Sequence, residues 1–187
     1  MRVKIYCSGS IIKGKADAKK LCWTDRERNE LRDAASPIEI DFLNPDDPMS
    51  DLGNTEALFG RDMYQVQIAD FVVVDARERR GIGIGIEIMA SRVFGTPLLA
   101  VAPRGSYYRM GRVEYRGSVV EDYVHPHLAS LADAIVGSFA EAGAWIAEND
   151  GRALAKPIEH LESCIKRYTD ELLPSDAPMK RLLERGG

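Results

Sequence analysis

Short runs that are apolar at every position alternate along the chain with longer segments whose apolar residues recur at helical spacing. Val3 to Cys7 is the first run. It is rich in β-formers and opens at Ser8-Gly9-Ser10 into a polar loop, which predicts a buried strand. Thr24 and Glu27 stand in the T-x-x-E spacing of a capping box and predict the start of a helix. Ile38 to Leu43 predicts a second strand, closed by the breakers Asn44-Pro45-Asp46-Asp47-Pro48. Leu58, Met63, Val66 and Ile68 predict a helix over about Thr55 to Ala69. Phe71-Val72-Val73-Val74 has no polar position, so it predicts a strand covered on both faces, as in a parallel sheet. A glycine-rich loop, Arg80-Gly81-Ile82-Gly83-Ile84-Gly85, leads into a helix from about Ile84 to Phe94, which Gly95-Thr96-Pro97 ends. Leu98 to Val101 predicts a fourth strand and Val119-Val120 the start of a fifth. Leu128, Leu131, Ile135, Phe139 and Ile146 share one side of a long amphipathic helix from His127 to Ala147.

Strands alternating with helices predict an α/β protein: a Rossmann-like or flavodoxin-like parallel sheet flanked by helices. Residues 1–148 form that domain, and residues 149–187, charged and helical in pattern, read as a C-terminal extension. At 187 residues, 45% hydrophobic and 29% charged, the chain is long and apolar enough to bury a core. A formal net charge of -4 argues against a general nucleic-acid binder, which needs excess Lys and Arg to displace counterions. A locally positive pocket for a small anion remains compatible with it. Cys7, Cys22 and Cys164 are widely spaced, without a CxxC pair, so neither a disulfide framework nor a zinc site is expected. No apolar run approaches the ~20 residues of a membrane span, and MRVKIYCSGS reads as a strand rather than a signal peptide. These features point to a cytoplasmic protein with a small-molecule ligand and no membrane or nucleic-acid partner.

Three places carry candidate chemistry, each at or near the predicted carboxyl end of a strand or on the helix facing it, where open α/β sheets bind ligands. In Gly81-Ile82-Gly83-Ile84-Gly85-Ile86-Glu87, alternate glycines let a backbone approach a ligand, and the amides at the following helix start suit an anion. The spacing is not the dinucleotide G-x-G-x-x-G. Glu87 is expected in the first helical turn, where the dipole favours its ionised form; it reads either as a nucleophile or as a residue that merely complements the dipole. Asp62 reads as a second carboxylate of the site or as a solvated helix residue. Tyr6, with Ser8, Gly9, Ser10 and Lys13 after it, reads as a core tyrosine preceding a polar loop or as part of a substrate cradle.

Together these places resemble the nucleoside 2-deoxyribosyltransferases and their relatives, the 2'-deoxynucleoside 5'-phosphate N-hydrolases. Tyr6-Cys7-Ser8-Gly9-Ser10 is similar to the family's opening strand and loop, the run from Asp62 to Val74 to its D-x-x-x-(I/L)-x-x-A-D-x-(V/L)-V signature, and Gly83 to Glu87 with Gly95-Thr96-Pro97-Leu98 to its G-x-x-x-E…G-K-P-V segment. The resemblance runs from about Val3 to Val101. It implies an N-glycosyl hydrolase or transferase in which Glu87 attacks C1' of a nucleoside or its 5'-monophosphate, Asp62 handles the leaving base's proton or holds the sugar, and Tyr6 orients Glu87. Ser8, Gly9, Ser10, Lys13, Gly81, Gly83 and Gly85 would hold the substrate, with no cofactor or metal. It also implies a homodimer or larger homo-oligomer, since a neighbouring subunit completes the pocket in relatives; Val136, Phe139, Trp145 and Ile146 would supply the apolar face. Gly81 stands where many relatives carry Ser or Asp, and Met89 where Gly is common; both differences bear on the substrate. The cytokinin-activating phosphoribohydrolases fit less well, because their Pro-Gly-Gly-x-Gly-Thr loop has no counterpart in Arg79-Arg80-Gly81-Ile82. A non-catalytic nucleotide-sensing module is the reading from outside enzymology.

Overall fold

A computed structural model describes residues 1–12, 15, 18–47 and 53–184. The chain divides into two compact units, Met1–Lys156 and Pro157–Gly187. In the first, five strands form one parallel sheet: β1 (Arg2–Ser8), β2 (Glu39–Leu43), β3 (Phe71–Asp75), β4 (Leu98–Val101) and β7 (Ala134–Val136), in the order β2-β1-β3-β4-β7. This is the flavodoxin-like doubly wound arrangement, with strand order reversing between β1 and β3. Helices α1 (Asp25–Ala34) and α5 (Phe139–Glu148) cover one face; α2 (Thr55–Ile68), α3 (Ile82–Phe94) and α4 (Pro126–Leu131) cover the other. The second unit contains α6 (His160–Arg167), a short π turn and 3-10 turn, and α7 (Ala177–Glu184).

Strand alternation sorts the core into two layers. Val3, Ile5, Cys7, Phe71, Val73, Leu99 and Val101 pack under Leu31 of α1 and Ala142 and Ile146 of α5. Tyr6, Val72, Val74, Leu98 and Ala100 pack under Val66 of α2, Ile84 and Ala90 of α3, and Leu128 of α4. All five residues of β3 are fully buried, which is why its sequence carries no period-2 alternation. The T-x-x-E pattern is a true capping box: Thr24 accepts from the first-turn backbone of α1 and Glu27 reaches back to the Thr24 N–H.

Two expectations fail. The long helix from His127 to Ala147 is three elements, α4, β7 and α5. Its apolar residues happen to fall near helical spacing, but Ala134-Ile135-Val136 satisfies the outer hydrogen-bonding edge of β4, and Ser138 then caps α5 by accepting from the Glu141 N–H at 3.1 Å. Val119-Val120 does lie in a strand, but in an antiparallel hairpin, β5 (Arg112–Tyr115) with β6 (Ser118–Glu121), separate from the main sheet. The fifth sheet strand is β7. As a consequence Val136, Phe139 and Ile146 belong to the intrachain core, with Trp145 packed partly buried against it, and form no free apolar face. Among the described residues, no helix is long and apolar enough to cross a membrane.

Candidate active site

Tyr6 and Ser8 are two apart on β1 and so point to the same face, beneath α3; both are fully buried. Glu87 comes down from α3 to meet them. The Tyr6 hydroxyl donates to Glu87 Oε1 at 3.0 Å and the Ser8 hydroxyl to Oε2 at 2.5 Å, so each carboxylate oxygen has its own donor. Burial pushes the Glu87 carboxyl up; the Ser8 and Tyr6 bonds pull it back, and the charge of Asp62 pushes it up again, leaving it at about 7. It is therefore poised between its acid and its ionised form at neutral pH. The Tyr6 hydroxyl is driven well above its ordinary range by burial and by the Glu87 and Asp62 charges, which keeps it a donor. Asp62, partly buried on α2, is thus the second carboxylate electrostatically joined to the site.

The glycines are not where the pattern puts them. Helix α3 begins at Ile82 with Gly81 as its N-cap, so Gly83 and Gly85 are helical and Glu87 lies in the second turn. The Ile84, Glu87, Ala90 and Ser91 stripe is buried against the sheet, and that packing outweighs the low helix propensity of two glycines, about 1 kcal/mol each. Left-handed glycine backbone occurs instead at Gly95, Gly105, Gly117 and Gly151, with Gly95 ending α3. The effect of Gly81, Gly83 and Gly85 is on the helix surface: a methyl group on any of them would meet open space, so the start of α3 is bare. Gly81 makes no side-chain capping bond, leaving the first-turn amides uncapped.

The loop after β1 is fixed by packing and by charge. A side chain on Gly9 would strike Trp23, whose indole N–H donates to the Ser8 carbonyl at 3.0 Å. Ser10 accepts from Arg80 Nη1 at 2.8 Å. Lys13 lies outside the described residues. Beneath the loop is a charged cluster that the sequence reading missed. Asp75, fully buried at the end of β3, accepts from Arg77 Nε at 2.9 Å and stands 2.7 Å from Arg80 Nη2, while Arg77 Nη1 reaches Glu27 at 2.8 Å. Arg80 also binds the Leu21 carbonyl at 2.8 Å, and its backbone N–H donates to the Tyr108 hydroxyl at 3.0 Å. The signal was the run Asp75-Ala76-Arg77-Glu78-Arg79-Arg80 directly after the most apolar strand, where so dense a charge cluster must be paired.

A cavity of about 320 Å³ opens at the same end of the sheet, floored by Val74, Ile84 and Leu128 and walled by Tyr107, Tyr108 and His125. Glu87 is not one of its walls. Among the described residues no group of three or more His, Cys, Asp or Glu could hold a metal ion.

Fold and site together define a doubly wound α/β protein with a buried, doubly hydrogen-bonded glutamate at the carboxyl end of its sheet. No family model and no curated protein matches the chain in sequence. Solved structures match it in fold. A 2-desoxiribosyltransferase from Leishmania mexicana superposes with a TM-score of 0.53 at 16% identity, over 78% of this chain and 97% of that one. The 2-deoxyribosyltransferase of Bacillus psychrosaccharolyticus superposes with a TM-score of 0.52 at 14% identity, over 82% of this chain and 98% of that one. The chain has the 2-deoxyribosyltransferase fold.

Proposed function

We propose that this protein is an N-glycosyl hydrolase or transferase acting on a (2'-deoxy)nucleoside or its 5'-monophosphate, with Glu87 as nucleophile. The observation that carries the reading is the Glu87 carboxylate, buried beside α2 and gripped by Tyr6 on one oxygen and Ser8 on the other. Each oxygen keeps a free lone pair, so either can attack while still accepting a bond. In the first step a Glu87 oxygen bonds to C1', the C1'–N bond breaks, and its electron pair leaves with the base, which takes a proton handled by Asp62. The product is a glycosyl ester on Glu87. Water or a second base then attacks C1', the carboxylate departs, and the attacking group loses its proton to Asp62. A nucleophile must be ionised, and a carboxyl at about 7 supplies that form from neutral pH upward.

The bare first turn of α3 and Ser10 form the side of the site suited to a 5'-phosphate. The working unit is a homo-oligomer. Exposed Phe59 of α2 and Ile82, Ile86, Val93 and Phe94 of α3, the nucleophile's own helix, make an apolar surface that association would cover. Incubation with a panel of nucleosides and 5'-monophosphates, followed by chromatography for free base, tests the activity. Base release that survives in Glu87→Ala refutes the mechanism. Light scattering tests the assembly, and a mass near 20.7 kDa at micromolar concentration rejects it.

A further inference from the structure

The cavity beside α3 is walled by a segment that follows β4 and lies beyond the sequence motifs that resemble the transferases. Residues 103–125 leave the sheet, form the β5–β6 hairpin, and return to pack over the N-terminus of α3. The wall is held shut by backbone bonds, His125 N–H to Tyr108 O at 2.8 Å and Gly105 N–H to Arg109 O at 2.7 Å, and by the Arg80 N–H on the Tyr108 hydroxyl. Its rings are already arranged edge to face: Tyr107 on Tyr108 at 5.0 Å, Tyr108 on His125 at 5.6 Å, and His125 on His127 at 5.1 Å. Burial and the neighbouring His127 hold His125 below its ordinary range, so it presents a neutral ring. The floor is aliphatic. An aromatic wall over an aliphatic floor suits a planar ring.

Glu87 does not line this cavity. Glu87 is bonded to Tyr6 and Ser8 of β1, which pairs with one side of β3, whereas the cavity is lined by Leu128 of α4 and by Tyr107 and Tyr108 of the segment that follows β4, the strand on the other side of β3. The first turn of α3 lines the cavity, and Glu87 lies one turn further along the same helix. What joins the two flanks across that turn is the bare, uncapped surface at Gly81 and Gly85, which also line the cavity. Beside it the Arg79 guanidinium lies over Tyr107, 5.7 Å from the ring centre. Arg80, whose side chain is only 1% exposed, lines the cavity too, with its Nη2 paired to Asp75 at 2.7 Å. Uncapped amides beside one exposed guanidinium suit a phosphate bridge.

We propose that this cavity is a second ring-binding subsite, and that it takes the distal ring of a pyrophosphate-linked dinucleotide whose reacting nucleoside sits at Glu87. The inference rests on the glycosidic reading of Glu87 and extends its substrate past the 5'-phosphate. It is tested with dinucleoside 5',5'-diphosphates of adenine, guanine, cytosine and uracil, each compared with its own 5'-monophosphate. Binding is read by calorimetry on Glu87→Gln, which holds ligand without turnover. For the preferred base the dinucleotide binds at least ~10-fold tighter than the monophosphate, the increment of one stacked ring, and Tyr107→Ala in that background removes the difference. With Glu87 intact, Tyr107→Ala lowers kcat/KM for the dinucleotide at least ~10-fold more than for the monophosphate. If Tyr107→Ala folds poorly, Tyr107→Leu, which keeps an apolar side chain and removes the ring, gives the same comparison. Equal affinities, or equal losses with both ligands, overturn the subsite. Wild-type protein that releases no base from any ligand overturns the glycosidic reading instead, and the calorimetric comparison still decides the subsite.

Discussion

Removing the Ser8 hydroxyl tests the site most sharply, because it touches the reaction only through the ionisation of Glu87. Ser8 is fully buried and donates to Glu87 Oε2 at 2.5 Å. A hydrogen bond to a charged group contributes about 1.5–3 kcal/mol, and each pH unit of displacement corresponds to about 1.4 kcal/mol. In Ser8→Ala the ionised form loses that donor and no water replaces it, so the Glu87 midpoint, about 7 in the native site, rises by about 1 to 2 pH units. At pH 7 the ionised fraction falls from about one half to between about a tenth and a hundredth, so kcat/KM drops roughly 5- to 50-fold. Above about pH 9 most of the loss returns, because there even the weakened carboxyl is ionised. The assay is a pH profile of kcat/KM from pH 5 to 10 on wild type, Ser8→Ala and Ser8→Thr, with the threonine hydroxyl expected to restore the native midpoint. A loss of the same size at every pH, with the acid limb unmoved, refutes the reasoning and makes Ser8 a substrate contact.

Glu87→Gln should lower kcat at least ~10³-fold, and it should also stabilise the protein at high pH. The folded midpoint lies above the unfolded one, so the native site binds the extra proton between about 4.5 and 7, and stability is lost as pH rises through that window. Thermal melts should show the variant gaining on the order of 3 kcal/mol over wild type at pH 8 and nothing at pH 4; the same gain at both would remove the ionisation argument. Asp133→Ala should cost about 3–5 kcal/mol in urea unfolding, because Arg92, 1% exposed at its side chain and 2.7 Å from Asp133, loses its partner, as do the Leu98 and Lys156 amides. A cost below about 1 kcal/mol contradicts that accounting. Gly143→Ala puts a methyl against the Leu31 carbonyl where α5 crosses α1, and is expected to destabilise by about 1–3 kcal/mol without moving kcat per folded molecule.

The sequence by itself determined the elements whose signal is local. The unbroken apolar run of β3, the capping box of α1, the glycine stop after α3 and the helix over Thr55–Ile68 all stand where the pattern puts them, because each depends on neighbours within one turn or on burial of both faces. Alternating strands and helices were enough for the doubly wound sheet; the ordered motifs put forward Tyr6, Asp62 and Glu87 as site candidates, and it took the fold to bring the Tyr6 hydroxyl onto Glu87. What only the tertiary structure decided was long-range. The break between α4 and α5 follows from the unfilled edge of β4, which no periodicity along 127–147 records. Gly83 and Gly85 are helical because α3 packs on the sheet, against their own propensity. The Glu87 midpoint depends on a tyrosine 81 positions and a serine 79 positions away along the chain. Burial and pairing across such separations set the chemistry, and they exist only once the sheet has brought β1 beneath α3.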